Sequence, residues 1–390
     1  MKSGMFNQQR KRSLTCAIAV MILGAAFGSG ASAQQIQTED FIRPRQEGIF
    51  KARIGKTQPA TAKLIGELNG YEISEVPGPQ PMLSMGKAVV VDPSGDLWFV
   101  DSREDKAVRL NPKTMQMTEF GVPHGAAPYS VAVDSKGTIW MTAHGIEMLI
   151  ELRPAEGIII SHAPPTHGFL IHINVDQKSD TVYFGQPGAN KIVAYRTDTG
   201  FREYTIPTDN SGPGRIDIDQ DGTVWFPELY TNKIAHLEPA SGKINEWDLP
   251  VKNALPAFCR VDKNRSVWIS EPMADRIQTF RDGKFEKTYL IPTVNSVVST
   301  SVEDQEGQVW FTEGGWRGSS GGNKLGRLDP VSGKVQEFTL PGENVQPLGI
   351  VMDHEGALWF EESTTGKMIR VQKKSLASTS PSPNQTASVK

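Results

Sequence analysis

The sequence predicts an all-β protein built as a seven-bladed β-propeller with four antiparallel strands per blade. Three observations carry this prediction. An aromatic residue opening a short apolar strand recurs at Trp98, Trp140, Tyr183, Trp225, Trp268, Trp310 and Trp359, at spacings of 42, 43, 42, 43, 42 and 49 residues. A turn that begins in Asp and ends in Gly precedes most of these strands, as in Asp92-Pro-Ser-Gly95, Asp134-Ser-Lys-Gly137, Asp219-Gln-Asp-Gly222, Asp304-Gln-Glu-Gly307 and Asp353-His-Glu-Gly356. In such a turn Asp bonds the turn backbone and Gly takes the positive φ. A third segment closes most repeats, as in Gln116-Met-Thr-Glu-Phe-Gly-Val-Pro123, Ile244-Asn-Glu-Trp-Asp-Leu-Pro250 and Val335-Gln-Glu-Phe-Thr-Leu-Pro341.

Taken in order, residues 1–33 read as a secretory signal peptide. Lys2, Arg10, Lys11 and Arg12 form its basic start, Leu14 to Gly30 its apolar stretch, and Ala31-Ser32-Ala33 its cleavage site. Residues 34–69 are expected to be an extended lead-in, 70–372 the propeller and 373–390 a disordered tail. Tyr71-Glu-Ile-Ser-Glu-Val-Pro77 matches the closing segments yet has no blade ahead of it, and the last repeat lacks that segment. This N-terminal strand is therefore expected to complete the seventh blade and close the ring, which removes free sheet edges. Blade six carries an insertion, Gly314-Gly-Trp-Arg-Gly-Ser-Ser-Gly-Gly322, whose Trp316 and Arg317 are candidate ligand contacts.

Charge and cysteine usage narrow the function. Without residues 1–33 the chain holds 37 Lys and Arg against 44 Asp and Glu, a net charge of −7. A mildly acidic chain is a poor nucleic-acid partner, which would need a basic face. No second apolar stretch follows the signal, so a periplasmic or secreted monomer with no membrane span is expected. Cys259 is then the sole cysteine, which rules out an intrachain disulfide, and it reads as a packing residue.

Candidate chemistry gathers at one end of the barrel, where the chain starts each inner strand and leaves each second strand. Most inner strands offer small or apolar residues there. His172, Asn174, Arg215, Asp217 and Arg260 break that pattern on blades three to five, and a buried polar group needs a partner or a ligand. Three positions after the aromatic, the chain reads Asp101, Ala143, Gln186, Glu228, Glu271, Glu313 and Glu362, with His144 next to Ala143. These acids either build each blade or ring a divalent cation at the mouth. On the second reading Glu271, Glu313 and Glu362 are the metal candidates. His162 and His167 are separated by two prolines and hold no metal geometry. The Asp-x-Asp-Gly turn lacks the Glu that closes a calcium loop.

The repeat resembles the blades of the streptogramin B (virginiamycin B) lyase family, on segments such as Gly222-Thr-Val-Trp-Phe-Pro-Glu228 with Thr231-Asn-Lys-Ile234, and Gly307-Gln-Val-Trp-Phe-Thr-Glu313 with Asn323-Lys-Leu-Gly-Arg-Leu328. The resemblance spans about residues 70 to 372. It implies a seven-bladed propeller and a magnesium-dependent enzyme that opens a cyclic depsipeptide by elimination at an ester, a base taking the α-proton while the metal steadies the enolate. The family's bases are histidines at the starts of two late inner strands. The matching positions here hold Ser299 and Leu348, Gln346 precedes Pro347, and Glu362 alone keeps a metal-binding acid.

Two functional expectations follow. One is an exported, metal-assisted carbon–oxygen lyase on a cyclic ester or depsipeptide, with lactone hydrolysis as a related chemistry and His172, Arg215 and Glu228 as catalytic candidates. The other is a non-catalytic periplasmic propeller that binds a small molecule at the channel mouth, or a protein, with His144, Asn174, Asp217, Arg260, Trp316 and Arg317 as contacts.

Overall fold

The computed structural model describes residues 47–77, 89–314, 322–342 and 345–374. Seven antiparallel sheets are arranged as the blades of a propeller, and in blades one to six the first four strands run from the inner strand outward in chain order. Blade two is representative: Pro128–Val133, Ile139–Ala143, Met148–Arg153 and Ile158–His162 pair in sequence. Its Pro128 lies opposite Ala143, so the start of an inner strand and the end of the second strand share one end of the barrel. The expected signal peptide, residues 375–390 of the expected tail and Trp316–Arg317 lie outside the described residues, while Lys373, placed in that tail, ends a strand of blade seven.

The aromatic column is the plug between blades. Trp98 of blade one sits among Val131, Ile139, Met141 and Ile150 of blade two. The same step closes the ring, because Trp359 of blade seven packs with Val89, Leu97, Phe99 and Val108 of blade one. The turn aspartate fixes each plug. Asp353 Oδ1 accepts from the backbone of Glu355 and Ala357 at 3.0 and 2.9 Å, and its Oδ2 accepts the Trp359 indole N–H at 2.7 Å. The pair recurs as Asp92–Trp98, Asp134–Trp140, Asp262–Trp268 and Asp304–Trp310. An Asp six residues before a Trp therefore satisfies two needs: it closes the turn and pairs a buried donor.

Blade four departs from this. Arg265 stands in blade five at φ 66, where other blades place the turn glycine, and its guanidinium takes Asp219 and Asp221. The Trp225 indole N–H is then buried without an acceptor.

Tyr71–Val76 pairs antiparallel with Lys367–Lys373 and forms the fourth strand of blade seven, with Ile73 and Val76 fully buried. The segment ahead of it is more structured than the extended lead-in expected for residues 34–69. Gly48–Lys51 adds to the outer strand of blade two, Arg53–Ile54 and Gln58–Pro59 to that of blade one, and Lys63–Leu68 to Tyr71–Val76. One stretch thus straps three consecutive blades and covers edges that would otherwise expose unpaired backbone groups. Its polar composition hid this, because an outer strand with one solvated face shows little hydrophobic patterning.

Candidate functional site

The glutamate column does not face the channel. Each acid sits at the end of a second strand beside the basic residue that opens the third strand, and in blades four, six and seven a glutamate of the outer strand completes the group. In blade four, Glu228 takes the Thr231 hydroxyl at 2.5 Å, Lys233 lies 3.5 Å from Glu246, and Glu246 accepts the backbone and hydroxyl of Thr208. Blade six repeats it with Glu313, Lys324, Glu337 and Thr293. Blade three has the same set, Lys191, Glu203 and Thr166, with Gln186 in the acid's place donating to the Thr166 carbonyl at 3.0 Å. The outer-strand glutamates Glu203, Glu246 and Glu337 therefore tie blades three, four and six to the segment that crosses from the blade before, while the column acids lie buried beneath them.

Burial decides their charge. Desolvation, helped by the nearby Glu337 carboxylate, pushes Glu313 up to about 8. Desolvation and Glu246 push Glu228 up to about 7. Burial also raises Glu271, although Arg276 holds one of its oxygens at 2.7 Å. Glu362 goes the other way: burial opposes its ionisation, but Thr364, Thr365 and the Gln346 backbone all donate to it, and its pKa falls.

These geometries do not fit magnesium. Glu271, Glu313 and Glu362 belong to separate blades with separate partners, and among the described residues no three His, Cys, Asp or Glu side chains converge as a cation would need. Glu228 bonds Thr231 within its own blade and does not line the cavity that holds Arg215.

The residues that break the pattern are brought together. An axial cavity of about 350 Å³ is lined on one side by Asn174, Arg215, Asp217, Arg260 and Ser301, and on the other by Val90, Ala132, Val302, Ile350 and Val351. Asn174 donates to Asp217 Oδ1 at 2.9 Å, and the other Asp217 oxygen accepts from the Val261 backbone at 2.8 Å. Those two side chains are satisfied within the wall. Arg260 stacks over Trp268 at 5.4 Å, reaches Glu303 at 3.6 Å, and keeps a buried Nη2 with no acceptor.

Arg215 is placed by a local break in blade four. Ser211-Gly-Pro-Gly214 precedes it, and the inner strand shrinks to Asp217–Ile218 where blades two and three have six residues. A Cβ on Gly212 would stand 2.4 Å from the Tyr230 ring, and one on Gly214 2.6 Å from the Ala257 carbonyl. Only glycines permit that approach. The chain consequently leans onto blade five, where Arg215 bridges Phe258 in parallel. The Arg215 side chain makes no hydrogen bond or ion pair among the described residues; burial lowers its pKa, with Asp217 as an opposing charge.

An aromatic group stands beside it. His144 stacks on Phe169 at 4.6 Å, and Tyr129 contacts both His144 and His172 at 5.3 and 5.6 Å. His172 meets Phe258 edge-on at 6.2 Å. Burial drives the pKa of His144 down to about 4. Burial and then the Arg215 charge take His172 down to about 3. Both imidazoles are neutral at physiological pH, and each has a buried Nδ1 without a partner. The sequence singles out His172 and His144, whereas Tyr129, Phe169 and Phe258 carry no such signal, because aromatic residues in a β protein usually read as core.

A model of the virginiamycin B lyase family matches residues 57–314 and 260–389. The chain belongs to that family. Among solved structures it resembles a streptogramin B lyase at 25% identity and TM-score 0.70, over 78% of this chain and 98% of that one. It also resembles virginiamycin B lyase from Staphylococcus aureus at 23% identity and TM-score 0.69, over 77% and 99% of the two chains. A catalytically inactive histidine-to-alanine variant of the S. aureus enzyme with quinupristin matches equally well. No curated protein sequence matches the chain significantly. Within the virginiamycin B lyase family, this member places Ser299 and Leu348 where histidine bases are expected. Ser299 is buried with its hydroxyl unpartnered and its carbonyl taken by Ser270 at 2.6 Å. Leu348 lies opposite Glu361 in blade seven. Neither side chain can serve as a base near neutral pH.

Proposed function

We propose that this protein is an exported, non-catalytic member of the virginiamycin B lyase family that binds a small molecule at the axial channel. The observation that carries this reading is the pairing of an unpartnered Arg215 inside the channel with Ser299 and Leu348 in the family's base positions. A guanidinium desolvated without an acceptor is a cost to folding, and a ligand offsets it. Elimination at an ester needs a base beside the α-carbon, and the two positions that would supply it hold a hydroxyl and an alkyl group.

A second reading is favoured by one feature. His172 is a neutral imidazole next to a cationic guanidinium, a pairing that could take a proton from a substrate anchored on Arg215. That would be a lyase or lactone hydrolase with its own residues. The deciding experiment incubates the mature protein with quinupristin and with simple lactones, with and without magnesium, and follows ring opening by mass spectrometry. No turnover above the His172→Phe variant supports the binding propeller. Turnover lost in that variant overturns it.

A further inference from the structure

Resting on the binding reading above, we propose that the axial cavity is a carboxylate site, built for a compact monocarboxylic acid with an apolar body. Its two walls differ in kind. Blades three to five present Asn174, Gln177, Arg215, Asp217, Cys259 and Arg260, whereas blades one, two, six and seven present only apolar side chains and Ser301. Asp217 is already saturated by Asn174 and Val261, and Glu303 is shared between Arg260 and Lys263 at 3.6 and 3.3 Å. Arg260 answers to Glu303, Asp217 and Asp262 and Lys263 to Glu303, whereas Arg215 makes no ion pair among the described residues.

The unmet donors have the same address. Arg215 has no acceptor among the described residues and, with Arg260 beside it, gives one side of a cavity of about 350 Å³ two guanidinium groups. A planar carboxylate fits a guanidinium in bidentate fashion. The rest of the ligand then lies against Val90, Ala132, Val302, Ile350 and Val351, where burying a hydrocarbon body is favourable. An inorganic oxyanion would waste that wall, and a cation would meet the wrong charge. The glycine break at Gly212 and Gly214 supplies an independent sign, because it shortens the inner strand of the one blade that carries Arg215.

The test uses the mature protein with benzoate, hexanoate, benzamide and inorganic phosphate as probes, read by calorimetry and thermal shift. Benzoate or hexanoate is expected to bind saturably, benzamide and phosphate at least tenfold more weakly. Arg215→Gln is expected to weaken carboxylate binding at least tenfold while the ligand-free variant melts no lower than the parent, since it sheds a half-buried charge with no ion pair among the described residues. Carboxylate binding unchanged in Arg215→Gln, equal binding of benzamide or phosphate, no saturable carboxylate binding, or a lower ligand-free melting temperature would each overturn the assignment. These outcomes are separate from the ring-opening assay, so the carboxylate site can fail while the non-catalytic reading stands, and the reverse.

Discussion

Replacing Glu313 by Gln should stabilise the protein, and the gain should grow with pH. The side chain is fully buried at the end of a second strand, neither carboxylate oxygen has a hydrogen-bond partner, and the Glu337 carboxylate nearby opposes a second charge. Burial raises its pKa from 4.5 to about 8. A tenfold change in proton affinity corresponds to about 1.4 kcal/mol. The stability that comes from holding this proton is complete below pH 4.5, the unfolded value, and is lost as pH rises to about 8. At pH 7 the loss is about 3 kcal/mol, and above pH 9 it levels off near ~5 kcal/mol.

A glutamine keeps the shape of the protonated acid and cannot ionise. Gln186 already fills the equivalent place in blade three, where its amide donates to the Thr166 carbonyl at 3.0 Å. Melting curves of both proteins at pH 5, 7 and 9 provide the assay. At roughly 2 °C per kcal/mol for a domain of this size, the variant should melt about 6 °C higher at pH 7 and by more at pH 9, with little difference at pH 5. A gain independent of pH, or a variant less stable than the parent at pH 9, would refute the account of a buried carboxyl held neutral.

Other outcomes follow from the same geometry. His172 has a pKa lowered to about 3, so the stability tied to its neutral form is present above the unfolded value of 6.5 and lost as pH falls from there; His172→Phe should flatten the stability profile between pH 6.5 and 4, measured by urea unfolding. Ile73→Ala should cost about 2–5 kcal/mol, like a deletion from any central core, because Ile73 is fully buried in the seventh blade; a change below 1 kcal/mol would mean that the N-terminal strand is only loosely attached. Asp353→Ala leaves the Trp359 indole N–H and two turn amides without acceptors and should cost about 2–4 kcal/mol, whereas Trp225 already lacks its acceptor, so Asp219→Ala should cost less. Magnesium at millimolar concentration should leave the melting temperature unchanged, and a saturable shift abolished in Glu362→Gln would reinstate a metal at that acid.

Much of the architecture was legible because a propeller repeats its physics. The column from Trp98 to Trp359 recurs seven times and the Asp-to-Gly turn in five of the blades, so period and strand order can be counted from the residues. The strap from Gly48 to Leu68 could not, since its strands gain their meaning from the outer edges of blades they are far from in sequence. The irregular residues His172, Asn174, Arg215, Asp217 and Arg260 were visible as departures from the pattern, and four of them do line one cavity.

Residue type and spacing determined the fold, the number of blades and the absence of the expected histidines at Ser299 and Leu348, because each depends on local chemistry or on identity alone. Tertiary structure decided where charges point. Glu228, Glu271, Glu313 and Glu362 share one sequence column and read equally well as a metal ring or as blade ties; folding gives Glu228 and Glu362 threonines and Glu271 an arginine, and buries Glu313 beside the Glu337 carboxylate. Which arginine is left without an acceptor was also beyond the sequence. Arg260 and Arg215 look alike on the page, and only the break at Gly212 and Gly214, which draws the chain toward Ala257, leaves Arg215 in the channel with an unmet charge.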